Sequence, residues 1–154
     1  MSNDPQAVER SVRVLQIVTG ALVAGVVVFA LVAVVVMGAL EAAPQGQIIS
    51  IVAAGFAALT FVLHLVLPAR IAQQMSRQSL PAQQVYASKT IMGLALLEGA
   101  AFFNLVALMI EHHWWSLAIA GLLVLCMLAK FPTRTRVEHW IEAQEMFPRR
   151  EGDL

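Results

Sequence analysis

VLQIVTGALVAGVVVFALVAVVVMGAL, residues 14–40, holds no charged side chain. At about 1.5 Å per residue, a helix over this stretch is about 40 Å long and exceeds the roughly 30 Å hydrocarbon core of a bilayer. Such a span must tilt or protrude. Its valines do not argue for a strand, because an open strand leaves backbone groups unsatisfied in lipid. Three further apolar runs follow, at about 48–68, 90–110 and 114–129. The pattern predicts an all-α fold, a four-helix transmembrane bundle, with a short fourth span.

The polar stretches orient the bundle. Arg10 and Arg13 precede the first run, Arg70, Arg77 and Lys89 lie between the second and third, and Lys130, Arg134, Arg136, Arg149 and Arg150 follow the fourth. The connector from Glu41 to Gln47 and the one around Glu111 to His113 hold no Lys or Arg. The positive-inside rule then places both termini in the cytoplasm. The first 131 residues read as one four-span domain, and 132–154 as a cytoplasmic surface helix and tail.

Composition agrees, since a chain 59% hydrophobic and 13% charged has too little polar surface to cover a soluble globule. The bilayer is the first partner. A net charge of zero, segregated to one side, argues against nucleic acid and for a basic rim facing anionic lipid. The single Cys126 permits neither an internal disulfide nor a cysteine metal cluster, and reads as a small apolar filler. The first run is too long for the apolar core of a secretory signal and is expected to remain as a span. No lipidation pattern is expected from Met1-Ser2-Asn3 or Gly152-Asp153-Leu154.

Local signals bound the elements. Asp4-Pro5 is a helix start, with an acceptor before a proline at the first helical position. Ala43-Pro44-Gln45-Gly46 makes an external turn. The polar stretch from Arg70 is predicted to prolong the second helix before turning near Pro81. Trp114 and Trp115 suit the outer interface, and Lys130 can snorkel to the inner one. Thr135-Arg136-Val137-Glu138 fits a capping box, and Val137, Trp140 and Ile141 share one face of a helix expected to lie on the inner surface.

Glu98 is the one formally charged residue well inside a predicted span. Counted from Lys89 at about 1.5 Å per residue, it lies roughly 13 Å from the inner boundary. Insertion scales charge about 2.5 to 3.5 kcal/mol for a comparable Asp at a span centre, so the group is either stabilised or protonated. A protonated acid in lipid can be a switchable proton site, and the alternative is a neutral Glu bonded to a neighbouring helix. His64 and Thr60, four apart on one face of the second run, bracket the same depth and are the candidate partners. Gly93, Ala100, Asn104 and Ala107 form a separate compact face suited to close helix packing, with Asn104 able to bond across it.

Other chemistry has little in its favour. Adjacent His112 and His113 point about 100° apart on a helix, so with Glu111 they make a poor metal set. His139 and Glu142, three apart, read as a solvated pair. No phosphate loop, nucleophile elbow or metalloprotease motif occurs, and the expectation is a protein that is not an enzyme and carries no cofactor or metal.

The string Lys89-Thr90-Ile91-Met92-Gly93-Leu94-Ala95-Leu96-Leu97-Glu98-Gly99-Ala100-Ala101-Phe102-Phe103 resembles the carboxylate helix of the rotary ATP synthase ring subunit, the proteolipid or c subunit. In that family a G-L-A-L-x-E-A-x-A-I-Y helix binds the transported proton or sodium ion through its Glu, and Glu98 falls on that carboxylate. Arg77-Gln78 with Pro81 resembles the family's cytoplasmic loop. The second run departs from the family's glycine-repeat helix: it reads Ala53-Ala54-Gly55-Phe56-Ala57-Ala58, then Thr60, Phe61 and His64. The likeness covers residues 70–110. The whole chain is also similar to bacterial four-span membrane proteins with an A-L-L-E-G-A-A-F-F-N helix and a basic tail after F-P-T, a likeness that implies no activity; the expected location is the bacterial inner (cytoplasmic) membrane.

Two functions follow as expectations. One is a proteolipid-like proton- or cation-binding subunit in which Glu98 carries the ion, His64 and Thr60 tune it, and further copies or a membrane-protein partner complete the path. The alternative is a non-catalytic scaffold or packing subunit of a larger complex, recruiting partners through the compact face and the Trp140 helix.

Overall fold

The computed structural model describes residues 5–77, 82–133, 135–137 and 139. Among them there is no strand. Helix α1 spans Pro5–Leu31 and continues as a π-helical segment, Val32–Val36. Helix α2 spans Ile48–Arg77, α3 Ala82–Glu111 and α4 Trp114–Ala129. Three of these helices are long and apolar enough to cross a membrane, over Glu9–Val36, Ile48–Leu67 and Gln84–Glu111. The fourth, with 16 residues, is apolar but shorter.

The first helix ends earlier than residue 40. Met37 N–H bonds Val32 O at 3.1 Å, five residues back, and Ala39 N–H bonds Ala33 O at 3.1 Å. Gly38 between them has φ +61°, a left-handed conformation that glycine adopts without a Cβ penalty and that commonly closes a helix. Apolar residues 37–40 therefore belong to the turn. At the other end, α1 begins at Pro5, where a missing N–H leaves no helical bond unmade.

Helix α2 runs on through Pro68 to Arg77, well past residue 68, and α3 begins at Ala82, eight residues before the apolar run. The predicted turn at Pro81 lies outside the described residues. So do Glu138, Trp140, Ile141 and Glu142. Within the segment after α4, Val137 N–H bonds Thr133 O at 3.2 Å, so the helical winding starts before Thr135 and that residue is not its cap. Val137 and Pro132 are buried, and Gln16 Nε2 donates to Pro132 O at 3.1 Å, which ties this segment to the start of α1.

The bundle is organised around α3. It packs against α1, α2 and α4, whereas no packing of α1 against α2 is found among the described residues. Buried Leu94, Leu97, Ala100, Ala101, Leu105 and Leu108 of α3 meet Val26 of α1, Ala57 of α2, and Ala120, Leu123 and Met127 of α4. Two edge-to-face ring pairs fix the flanking seams: Phe29 with Phe102 at 5.4 Å, and Phe56 with Phe103 at 5.6 Å. The outward side of α2 presents Ile51, Val52, Leu59, Val62 and Val66, all exposed.

Candidate functional site

Glu98 stands in the seam between α3 and α1. A methyl group in place of the Gly25 hydrogen would lie 4.0 Å from Glu98 Oε1 and 3.8 Å from Phe102 Cζ. Both are ordinary van der Waals distances, so α1 passes beside the carboxyl with room for a small side chain. Glu98 is partly exposed, and no described residue donates a hydrogen bond or an ion pair to it.

His64 and Thr60 are engaged elsewhere. Nδ1 of His64 lies 2.9 Å from Gly93 O, and since a carbonyl only accepts, that nitrogen carries the proton and donates. Gly93 precedes Glu98 by five residues, which on a helix places the two about 140° apart. His64 and Glu98 accordingly share no hydrogen bond. Thr60 is buried, and its hydroxyl bonds the carbonyls of its own helix, Phe56 O at 2.8 Å and Ala57 O at 3.0 Å.

The compact face of α3 is consumed within the chain. Gly93, Ala100, Asn104 and Ala107 are all buried. Asn104 Nδ2 donates across the seam to Ala53 O of α2 at 3.2 Å and along its own helix to Ala100 O at 2.9 Å, while its Oδ1 finds no protein partner. This is a helix-to-helix tie of the kind that small residues permit by letting backbones approach.

A polar clasp that sequence reasoning did not assign closes the opposite end of the hairpin. Glu111, the last residue of α3, accepts Ile49 N–H through Oε1 and Ser50 N–H through Oε2, each at 2.8 Å. Gln47 O accepts the first helical bond of α2, from Ile51, so Ile49 and Ser50 are the second and third helical positions, the amides that an N-cap side chain normally serves. No acid stands in the first turn of α2 to do this locally. Glu111 O also accepts Gln45 N–H at 2.9 Å. His112, in the left-handed region at φ 59°, sends Nδ1 to Ala39 O at 3.0 Å, and His113 sends Nε2 to Gly46 O at 2.6 Å. The two histidines reach carbonyls of the connector and Glu111 the first turn of α2, so the three side chains do not converge on a common point. A carboxylate at the C-terminus of a helix opposes the helix dipole, and that mismatch was the available signal for a partner elsewhere.

No family model matches the chain, and no curated protein or solved structure was found to be similar to it.

Proposed function

We propose that the chain is a four-span protein of the bacterial inner membrane, with both termini in the cytoplasm, and that Glu98 is a proton-exchanging carboxyl within it. The membrane reading is supported by the exposed apolar faces of α1, α2 and α4, which water would not tolerate over so large an area. The observation that carries the function is the state of Glu98: midway along an apolar helix, partly exposed, and unbonded by any described residue. An unpaired carboxylate is expensive there, and the protonated acid is not.

The geometry narrows the ion. A bound metal cation needs several oxygens converging on it, and within the described residues Thr60 and His64 serve other partners. A proton needs only the carboxyl. The likeness to the ATP synthase ring helix points the same way, with further copies or a partner protein supplying the path. The scaffold reading keeps less support, because the compact face it would use is buried against α2.

Reaction with a hydrophobic carbodiimide tests the proposal, since the reagent modifies a protonated carboxyl reachable from lipid. Modification mapped to Glu98, slowing as the pH is raised, is the expected result. An unreactive Glu98 in a folded, membrane-inserted protein overturns the proton reading and leaves the scaffold. Membrane topology is tested separately by labelling single cysteines: Gln45→Cys and His113→Cys should react from outside, and Gln78→Cys and Arg149→Cys should not.

A further inference from the structure

At the end of the bundle opposite the Glu111 clasp, a cavity of about 450 Å³ opens between α2, α3, α4 and the segment after α4. Its polar wall holds His64, Tyr86, Lys89, Thr90, Lys130 and Arg136, and its apolar wall includes Leu65, Leu94 and Ala129. Every formally charged lining residue is a cation. None of the three is paired with a carboxylate among the described residues. Two neighbouring groups have settled orientations: Arg136 Nη1 donates to Ala129 O at 2.8 Å, and His64 donates through Nδ1 to Gly93 O, leaving Nε2 as its open ring nitrogen.

From this arrangement we infer that the cavity binds the phosphate headgroup of an anionic phospholipid. The cavity falls within the size range of ligand pockets, roughly 300 to 1,000 Å³. Three cations from separate elements, Lys89 on α3, Lys130 at the end of α4 and Arg136 beyond it, meet around one space, which a dispersed basic rim does not require. Finally, the cations lie where the apolar stretches of α3 and α4 end, so a phosphate held between them can leave its acyl chains along exposed Leu65 and the exposed face of α2. A basic pocket between helices on the inner side of a membrane is suited to an acidic lipid head. Arg136 contributes the planar, multi-donor recognition of a phosphate and the lysines contribute point charge.

The inference rests on the membrane reading above, and the experiment separates the two. Protein purified in neutral detergent is titrated with dioleoylphosphatidylglycerol or dioleoylphosphatidylcholine, and bound lipid is counted by native mass spectrometry. Phosphatidylglycerol should be retained with a preference of about tenfold, and K89Q/K130Q should reduce that preference to about twofold or less. Lys130→Gln alone, at an exposed position, should lower it partway and covers the case in which the double variant does not fold. R10Q/R13Q removes the same charge from the start of α1 and should leave the preference intact. Inorganic phosphate at millimolar concentration, without lipid, should not raise the thermal unfolding midpoint, whereas phosphatidylglycerol should.

Equal binding of the two lipids overturns the proposal. So does an equal loss in R10Q/R13Q, which would show general attraction to the basic rim, and so does stabilisation by inorganic phosphate that matches the lipid's. A protein that stays in solution after detergent removal overturns the membrane reading and this proposal with it. A protein that needs detergent but shows no headgroup preference overturns the pocket alone.

Discussion

Glu111 and Ser50, separated by 61 positions in the chain, are joined at 2.8 Å: a carboxylate from the last turn of α3 accepts a backbone amide from the first turn of α2. Its second oxygen takes the adjacent amide of Ile49, so both carboxylate oxygens are engaged on one helix start. The partial positive charge at the α2 N-terminus favours the anion, which offsets the unfavourable placement at the α3 C-terminus. The connector between α1 and α2 is thereby held by its own helix start and by the α3–α4 junction together.

Replacing Glu111 with Ala should release these amides. Hydrogen exchange at Ile49 and Ser50 should speed by about tenfold, as expected when helix-start donors lose their acceptor. Glu111→Gln, which keeps one acceptor and loses the charge, should fall between. Exchange unchanged in Glu111→Ala would mean that water serves the helix start as well as the carboxylate does.

Asn104 offers a second test, because it is fully buried and spans the α2–α3 seam. Hydrogen bonds between helices in membranes average about 0.6 kcal/mol and reach about 1.7. Asn104→Ala should therefore lower the unfolding free energy by about that range, read from denaturant unfolding in mixed micelles. A loss above about 3 kcal/mol would assign Asn104 a larger role than the tie to Ala53 explains.

Thr60→Val should be quiet. The hydroxyl bonds only carbonyls that already belong to its own helix, and valine nearly matches its shape. A change within about 0.5 kcal/mol is expected in unfolding, with no change in the carbodiimide reactivity of Glu98. A large effect on that reactivity would restore Thr60 to the site.

Gly25 is the position from which α1 can be used to cover Glu98. Gly25→Ala meets only ordinary contacts, at 3.8 and 4.0 Å, and should stabilise the helix by about 0.5 to 1 kcal/mol. Gly25→Leu extends a side chain toward Phe102 and Glu98, and should slow carbodiimide modification severalfold while leaving the helical circular dichroism signal in place. Equal rates in wild type and Gly25→Leu would place the reagent's approach on another side.

Much of the architecture was written in local sequence. Uninterrupted apolar runs bounded by charge, proline and glycine marked four helices, and the run expected at about 114–129 is helical over Trp114–Ala129. The polar stretch after Arg70 extends α2, as expected for residues with good helix propensity and no breaker before Pro81. Glu98 was identifiable by being a lone charge in an apolar run.

What the tertiary structure decided was which faces meet. A helix that is apolar nearly all round has little periodic signal to say which side turns inward, so nothing local marked α3 as the helix that carries most of the packing. For the same reason His64 and Glu98 could be matched in depth from the sequence, while only packing showed that His64 turns to Gly93 O and Glu98 to the Gly25 side of α1. Glu111 makes the point most plainly. Its chemistry is local, but its partners are amides that exist as free donors only because α2 begins beside it, and that adjacency belongs to the fold.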